Sequence, residues 1–506
     1  MESTDRYGGA QVRKGLLHFL VGKALTSVAG IGTFVLLVRA LPIDQFAAYS
    51  ILFGLVELIA AITGVGITHV MARYIPEVYA IHLNATFRSL VLRLLALRFV
   101  VLAIVIVAMW VFAPEISGSI GLTGWDQALT FYLWVIAIRT VLLTLFTLLE
   151  QMLLQGIAQL SLSLVTVSRF VILAALWWAG MLDLTSLILV EILTDILGVV
   201  IMVGGLRQSL PARPDTPSEQ DRGWIHRNRS RMIDFGWKGY LQHMLVLPFS
   251  GSTDRLIVGS QLASSQVALF GFGQWVLDLM NRYLPAHLLQ GLIRPVLTAR
   301  YARDNRFADV VVVTNLILKV NLALLAGFAV LVFAGGSPAL LMLTGDKFGG
   351  ESLNLLLLMT FLMALYSWRQ VLDIAAHTVE KNGPLIWAHT VLILSVIPGV
   401  IALPWFGVYA LPISHVIGVI VASFLLIYRL ALAGFSYRMD WIGIFRLALV
   451  TGVSMGLISL FRTSIAWPWL IIAGGMVFCV LLALSRPINS DERASLAEII
   501  KSRSAK

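Results

Sequence analysis

The stretch SLVLRLLALRFVVLAIVIVAMWVF, residues 89–112, decides the fold of this chain. A membrane-spanning helix needs roughly 20 mostly apolar residues, and this stretch supplies them in one continuous run. The strands of a membrane barrel instead alternate apolar and polar residues over about ten positions. Because only helices and closed barrels can span a bilayer, the stretch predicts a membrane-spanning helix.

The whole chain has the composition of a membrane protein. Of its 506 residues 58% are hydrophobic and 13% are charged, and the mean hydropathy is +0.88. Charged residues make up about a quarter of a soluble domain. We therefore predict an all-α polytopic membrane protein with about 14 transmembrane helices. The predicted spans are 16–40, 46–72, 89–112, 127–149, 159–180, 184–206, 235–259, 266–292, 310–334, 351–378, 385–404, 407–428, 441–461 and 466–485.

The positions of Lys and Arg predict the orientation of these spans. One set of loops and tails holds about 23 basic residues, whereas the alternate set holds only Lys347 and Arg462. The positive-inside rule then places both termini in the cytoplasm. The net charge of +10 has the same origin, so no nucleic-acid partner is expected. The one cysteine, Cys479, can form no internal disulfide, and we expect no cofactor and no metal site.

The chain is predicted to consist of two related halves and an added part. The polar segment RQSLPARPDTPSEQDRGWIHRNRSR, residues 207–231, reads as a linker between two blocks of six spans. We predict an N-terminal lobe over 1–206, a cytoplasmic linker over 207–234, a C-terminal lobe over 235–430, and two further helices with a tail over 431–506.

An internal repeat supports this division. LPIDQFAAYS (41–50) matches LASSQVALFG (262–271) at an offset of about 221 residues. After a longer outer loop the offset becomes about 230, and it then pairs Arg139 with Arg369. Two pseudo-symmetric six-helix lobes favour alternating access to a site between them, which is a property of transporters.

Ionisable residues inside the spans are functional candidates, because burying a charge in a bilayer is costly. Basic residues outnumber acidic ones there, so a shared cavity would be cationic and would suit an anion such as phosphate. A cross-helix ion pair is the alternative for most of them. Arg369 has a local alternative, because Asp373 lies four residues later on the same span. The predicted substrate-binding residues of this cationic lumen are Lys23, Arg98, Arg139, Arg169, Lys319 and Arg369.

Two acids share one face of the sixth span. Glu191 and Asp195 lie four residues apart, and two like charges at that spacing on a helix repel each other. They predict a site for ion coupling, unless Arg169 on the preceding span neutralises them. The two interpretations carry equal weight.

A further set of charges is predicted to form a gate or a contact between the lobes. Asp254 and Arg255 are adjacent, so on a helix they point about 100° apart and cannot simply pair with each other. If the seventh span is continuous from 235, Asp254 lies roughly 28 Å along it, towards the periplasmic end. The gate or inter-lobe residues are Asp254, Arg255, Glu57, Asp278 and Arg282.

Three stretches resemble one known family. FVLLVRALPIDQFAAYSILFGLVELI (34–59), GVGITHVMARYIPE (64–77) and STDRLIVGSQLASSQVALFGFGQWVLDLM (252–280) are similar to the polysaccharide-exporter branch of the multidrug/oligosaccharidyl-lipid/polysaccharide (MATE-like) superfamily. The chain departs from that pattern where Ala47 or Ala48 replaces a glycine and where LASS replaces a turn after the seventh span.

The resemblance implies a flippase of the bacterial inner membrane and not an enzyme. Its substrate would be an undecaprenyl-diphosphate-linked oligosaccharide repeat unit for exopolysaccharide or O-antigen and lipopolysaccharide synthesis. Its partners would be the lipid-linked oligosaccharide diphosphate, membrane lipids, and a polysaccharide polymerase with export machinery. Three alternatives stay open: a flippase for lipid II, a peptidoglycan precursor; a cation-coupled multidrug exporter; and a membrane polysaccharide polymerase.

Overall fold

The computed structural model describes residues 9–80, 83–152, 154–210, 223–284, 297, 301, 305–379, 381–490 and 492–493. These residues form helices joined by short connections, and no strand occurs among them. The helices of the first half are α1 (Gly9–Ala40), α2 (Ile43–Ile62), α3 (Ile67–Ala80), α4 (Asn84–Val111), α5 (Ala113–Ser119), α6 (Asp126–Gln151), α7 (Gln155–Trp178), α8 (Leu184–Ser209), α9 (Trp224–Val246), α10 (Gly251–Gln261) and α11 (Ser264–Tyr283). Those of the second half are α12 (Phe307–Thr344), α13 (Gly350–Thr378), α14 (Asn382–Phe406), α15 (Ala410–Leu432), α16 (Trp441–Phe461) and α17 (Trp467–Ser485).

Most of the long helices are apolar enough to cross a membrane. Within the described residues, eleven stretches meet the requirements of length and hydropathy, and the stretch Asn84–Val111 has a mean hydropathy of 2.8. One of the eleven, Gly383–Leu432, contains both α14 and α15. The predicted spans 235–259 and 266–292 correspond to none of them. The predicted fold class is confirmed, and the chain is an all-α polytopic membrane protein.

The contacts divide the chain into two compact units, Met1–Ala268 and Leu269–Lys506. This division falls within α11 and groups α9 and α10 with the first unit, although the repeat predicts that they begin the C-terminal lobe. At one pair of connections the helix bounds have the spacing of the predicted repeat, because the two residues between α10 and α11 lie about 221 positions after those between α1 and α2. The predicted lobes stay a prediction, and residues 211–222 of the predicted linker lie outside the described residues.

The core of the first unit lies where α3, α4 and α6 pack together. Tyr74, Phe87 and Leu148 have at most 1% of their surface exposed there. Burying an aliphatic or aromatic side chain of this size contributes about 1.5–3 kcal/mol in water, but lipid already surrounds the outer face of these helices. Close packing within the unit therefore holds the helices together.

The second predicted span, 46–72, is interrupted by the sequence GVG. α2 ends at Ile62 and α3 begins at Ile67, and Gly66 between them has a φ of +73°. A Cβ on Gly66 would lie 2.2 Å from the carbonyl oxygen of Gly236 on α9. Glycine is therefore required at position 66 both by the left-handed backbone and by the close approach of α9.

The seventh predicted span, 235–259, is interrupted as well. Pro248 has no N–H to donate to the helix, and the chain forms a 3₁₀ turn over Leu247–Phe249 after α9. Ser250 is extended, and its side chain accepts a hydrogen bond from the Thr253 N–H at 3.3 Å, which caps α10. Because the helix is broken, the rise of one straight helix does not measure the depth of Asp254.

One helix of the second unit is bent near its end. Gly336 inside α12 has a φ of +56°, and Pro338 follows it two residues later. A Cβ on Gly336 would lie 2.3 Å from Nη2 of Arg462, which follows α16. The guanidinium of Arg462 also lies over the Phe333 ring, with 5.5 Å between Cζ and the ring centroid. The loop after α16 is thus packed into the bend of α12.

Candidate functional site

Four charged side chains meet in the interior of the first unit. Arg139 on α6 contacts Asp195 Oδ2 through Nε at 2.9 Å and Glu191 Oε1 through Nη2 at 3.1 Å. Arg169 on α7 contacts Asp195 Oδ1 through Nη2 at 2.5 Å and Glu191 Oε1 through Nη1 at 3.6 Å. Each arginine therefore bridges both acids of α8. We call these four residues the ionic cluster.

The ionic cluster is buried and its formal charges balance. Glu191 and Asp195 are each 1% exposed, and the Tyr49 hydroxyl donates a hydrogen bond to Glu191 Oε1 at 3.0 Å. Removing one member of a buried ion pair leaves an uncompensated charge, which costs about 3–5 kcal/mol. In this structure Arg169 neutralises the two acids, which is the alternative to ion coupling that the sequence left open, and the four charges join α6, α7 and α8.

A pocket of about 380 Å³, with several polar and charged side chains among the apolar residues of its wall, lies elsewhere in the first unit, beside the break between α2 and α3. Helices α2, α3, α4, α6 and α9 all contribute to its wall. Its lining residues are Glu57, Ala60, Ala61, Gly64, Gly66, Thr68, His69, Met71, Arg98, Leu143, Thr144, Thr147, Tyr240 and His243. We call this feature the polar pocket.

Arg98 contributes the basic side chain of the polar pocket. It is 4% exposed, and its Nη2 donates a hydrogen bond to the carbonyl oxygen of Ala60 at 2.7 Å, near the end of α2. Its Nε and Nη1 have no hydrogen-bond partner among the described residues. A cation near the C-terminus of a helix interacts favourably with the unpaired carbonyls there. Arg98 therefore stabilises the end of α2 and still holds N–H groups without a protein acceptor in the part of the chain that the structure describes.

Two other groups hold the broken helix beside the polar pocket. The Tyr240 hydroxyl of α9 donates to the carbonyl oxygen of Ile62 at 3.1 Å, and the Ser252 hydroxyl of α10 donates to Glu57 Oε2. Together with Arg98, they provide partners for the end of α2 and for the Glu57 carboxylate that lines the pocket.

Lys319 lies in a different environment, in the second unit. Its Nζ contacts Asp440 Oδ2 at 2.5 Å and Glu492 Oε2 at 2.7 Å, and the lysine is 2% exposed. Asn489 donates to Asp440 at 3.2 Å through its side chain, and to Glu492 at 2.9 Å through its backbone N–H. The lysine thus joins α12 to the residues before α16 and after α17.

Asp440 precedes α16 and lies outside the membrane-spanning helices. Burial raises the pKa of this carboxyl, but hydrogen bonds from Lys319 and from the Gly443 backbone outweigh burial and leave the pKa below its usual value. In the same loop, burial raises the pKa of Tyr437. The charged form of Asp440 is therefore favoured by folding.

Arg369 lies on α13 of the second unit and is 4% exposed. Its Nη2 lies 2.9 Å from Oδ1 of Asp373 one turn later, and its Nη1 donates to the carbonyl oxygen of Ala422 at 3.3 Å. His389 on α14 lies 3.9 Å from the other oxygen of Asp373. The ion pair with Asp373 is the local pairing that the spacing of four residues predicts.

The remaining predicted residues are distributed over α1, α10 and α11. Lys23 is half-buried on α1, whereas Asp254 and Arg255 are 5% and 2% exposed on α10. The Arg255 guanidinium lies over the Phe53 ring at 5.3 Å, so it packs against α2. Asp278 and Arg282 lie one turn apart on α11.

Several residues that the sequence does not single out lie beside these charges in the structure. Tyr49, Tyr240 and Ser252 are remote in sequence from the groups that they contact. His69 and His243 lack the spacing of a metal site and are predicted to be ordinary packing or lumen residues, and in the structure both line the polar pocket. The sequence GVG before His69 could have indicated the pocket, because it favours a helix break. Such a break within a membrane is tolerated where it lines a cavity.

Comparison with known proteins identifies the fold. No protein-family model and no curated protein matches the sequence. Among solved structures, the chain is similar to a lipid II flippase MurJ in an inward closed conformation, with a TM-score of 0.69 and 11% identity over 92% of this chain and 98% of that one. An inward-facing multidrug resistance MATE family transporter of the MOP superfamily matches with a TM-score of 0.58 and 13% identity, over 87% of this chain and 96% of that one. The chain therefore has the fold of these membrane transporters.

Proposed function

We propose that this protein is a flippase that moves undecaprenyl-diphosphate-linked oligosaccharide repeat units across the bacterial inner membrane by alternating access. The observation that carries the proposal is the fold, which matches that of a lipid II flippase over 92% of this chain. The polymer would be an exopolysaccharide or the O-antigen of lipopolysaccharide, as the resemblance of the loop motifs implies. Both termini would face the cytoplasm, in keeping with the distribution of basic residues.

Within this proposal, Arg98 is the residue assigned to the diphosphate. Of the predicted lumen residues, Arg139, Arg169, Lys319 and Arg369 have acidic partners in this structure. Arg98 instead borders the polar pocket and has N–H groups without an acceptor among the described residues. Arginine matches the geometry of phosphate oxygens through paired N–H donors.

A second candidate substrate is lipid II, the peptidoglycan precursor. The MurJ protein, which has the same fold, is a lipid II flippase. Both candidate substrates carry a diphosphate, so a diphosphate site would bind either of them. The protein would have to distinguish them by their sugar portions. The similarity to the MATE fold also supports the third candidate, a cation-coupled multidrug exporter, but an arginine beside the site argues against a cationic drug as substrate.

Reconstitution tests the proposal directly. The purified protein is placed in liposomes that contain a fluorescent undecaprenyl-diphosphate oligosaccharide, fluorescent lipid II, or a fluorescent cationic drug. Transfer between leaflets is measured by the fraction of label that an impermeant quencher reaches over time. We expect transfer of the oligosaccharide lipid above that in empty liposomes. Transfer of lipid II alone would select the second candidate, and transfer of the drug alone would refute both.

A further inference from the structure

The wall of the polar pocket carries one permanent positive charge, one carboxyl group and two imidazoles. Arg98 stays protonated at all physiological pH values. Glu57 is an acid, and His69 and His243 carry imidazoles, a group whose pKa in water lies near 6.5. With both imidazoles neutral and Glu57 ionised, the formal charge of the lining residues is zero. One proton on an imidazole makes it positive.

The two histidines lie close together on different helices of the pocket wall. His69 on α3 and His243 on α9 have ring centroids 6.4 Å apart. Gly239 on α9 makes room for His69, since a Cβ there would lie 2.7 Å from the imidazole ring. Nδ1 of His69 is buried and has no hydrogen-bond partner among the described residues. Protonation of the ring at this nitrogen would therefore leave an N–H group without a protein acceptor in the part of the chain that the structure describes.

The charges near these histidines on the same helices are already paired. On α3, Arg73 and Glu77 form an ion pair at 3.1 Å, and Arg231 of α9 lies 3.8 Å from Glu77. On α9, Lys238 and Asp234 form an ion pair at 2.7 Å.

The other walls of the pocket add few titratable groups. Helix α2 contributes Glu57, α4 contributes Arg98, and α9 also contributes the Tyr240 hydroxyl. Helix α6 contributes Thr144 and Thr147, which do not titrate. The charge of the pocket therefore depends on the two imidazoles and on Glu57.

We propose that the polar pocket binds a phosphate-class anion through Arg98, and that it does so when His69 or His243 carries a proton. The inference rests on the proposed function only for the identity of the anion in the cell, which would be the lipid diphosphate. An anion that enters the neutral pocket meets the Glu57 carboxylate and the carbonyl end of α2, both of which oppose it. A protonated imidazole offsets this repulsion and donates a further hydrogen bond.

The direction of the pH dependence follows from this arrangement. The protonated fraction of a histidine rises as the pH falls, so affinity for the anion rises in the same direction. Conversely, a bound anion favours the protonated imidazole, so binding takes up protons from solution. Substrate binding and proton uptake would thus be linked at one pocket.

Calorimetric titration of the purified protein in nanodiscs of uncharged lipid tests the proposal, with inorganic pyrophosphate as the probe. We expect affinity to be roughly tenfold higher near pH 6 than near pH 8. We also expect the apparent enthalpy to change with the ionisation enthalpy of the buffer, which reports proton uptake. Pyrophosphate itself titrates in this range, so the informative quantity is the difference between the protein and its variants.

The double variant His69→Gln/His243→Gln should remove the difference between the two pH values and the proton uptake. His226→Gln is the matched control, because His226 is an exposed histidine on the same α9 and lies outside the pocket. Unchanged pH dependence in the double variant would overturn the role of the histidines.

Arginine variants test the anion contact. Arg98→Gln should lose pyrophosphate binding, and Arg98→Lys should bind more weakly while it keeps the pH dependence, since lysine retains the charge without the paired donors. Arg93→Gln, an exposed arginine on the same helix, should bind as the unaltered protein does. Full affinity in both Arg98 variants would overturn the proposed site. If Arg98→Gln fails to fold, the lysine and histidine variants still decide the outcome.

A second arm distinguishes the source of the anion. The same titrations are repeated with nanodiscs that contain undecaprenyl diphosphate. Competition with pyrophosphate that depends on Arg98 would identify the lipid headgroup as a ligand, and pyrophosphate binding without competition would identify a site for the free anion. If the protein flips lipid-linked oligosaccharide in liposomes but neither probe binds at Arg98, this inference fails and the proposed function stands.

Discussion

Nε of Arg139 on α6 lies 2.9 Å from Oδ2 of Asp195 on α8, and both side chains are buried in the first unit. Arg169 reaches the other oxygen of the same carboxylate at 2.5 Å. A charge that the sequence predicts to face a substrate is therefore part of a balanced group that joins three helices. We therefore expect a substitution at Arg139 to lower the stability of the fold in the first place.

We predict that Arg139→Gln destabilises the protein by about 3–5 kcal/mol, since it leaves the acids of the ionic cluster in excess over the one remaining arginine. Thermal unfolding of the purified protein in detergent measures the effect. Adding Asp195→Asn should recover part of the loss, because the double variant again has one base and one acid. Arg93→Gln, at an exposed position, should stay within about 0.5 kcal/mol of the unaltered protein. Unchanged stability of Arg139→Gln would instead favour the original prediction that Arg139 binds substrate in the cationic lumen.

Gly66 should tolerate no side chain. We predict that Gly66→Ala destabilises the protein by about 2–4 kcal/mol, because a Cβ would meet the Gly236 carbonyl at 2.2 Å and the φ is +73°. Gly204→Ala on α8 is the control, since its Cβ would meet no atom within 4 Å and alanine favours a helix. The same unfolding measurement compares the two. Equal stability of both variants would show that the connection before α3 does not approach α9 closely at Gly66.

Asp440 makes stability depend on acid pH. Its pKa is lower in the folded protein than in the unfolded chain, so its contribution is present above the unfolded value near 3.9 and is lost as the pH falls through the folded value. We therefore predict that Asp440→Asn is less stable than the unaltered protein at neutral pH, and that the gap narrows as the pH falls from about 5 to about 3. Unfolding temperatures of both proteins across that range measure it. A gap of constant size would mean that the contact with Lys319 does not favour the charged carboxyl.

Removing the acid of the polar pocket should strengthen anion binding. We predict that Glu57→Gln raises the affinity for pyrophosphate several-fold near pH 8, where imidazoles are neutral, because it removes the opposing carboxylate. The amide can still accept the hydrogen bond from the Ser252 hydroxyl. Glu115→Gln, an exposed acid on α5, serves as the control for net charge. Weaker binding by Glu57→Gln than by the control would indicate that the pocket prefers a cation.

The membrane-spanning character of the chain was predictable from sequence, because hydropathy over about 20 residues measures directly what a bilayer requires. Residues 89–112 illustrate this, since they lie almost entirely within the helix Asn84–Val111. The interruption after Val246 was harder to predict, although Pro248 is a strong local signal. The apolar residues around it extended the predicted span through the break.

The partners of the charged residues could be predicted only in part. Helical spacing places Glu191 and Asp195 on one face and pairs Arg369 with Asp373, because both relations are local. The contact of Lys319 with Glu492 joins residues far apart in the chain, so one sequence holds no spacing rule for it. The polar pocket was not predictable for the same reason, since its wall brings together residues of five helices that are far apart in the chain.

The orientation of the chain can be tested with its own single cysteine removed. In a Cys479→Ser background, we predict that Ser464→Cys reacts with an impermeant maleimide in intact cells, because it lies in the exposed connection between α16 and α17. Ser218→Cys, in the basic polar segment after α8, should react only after the cells are opened. Mass shift of the purified protein measures both reactions. The reverse pattern would contradict the predicted topology and would place both termini outside the cytoplasm.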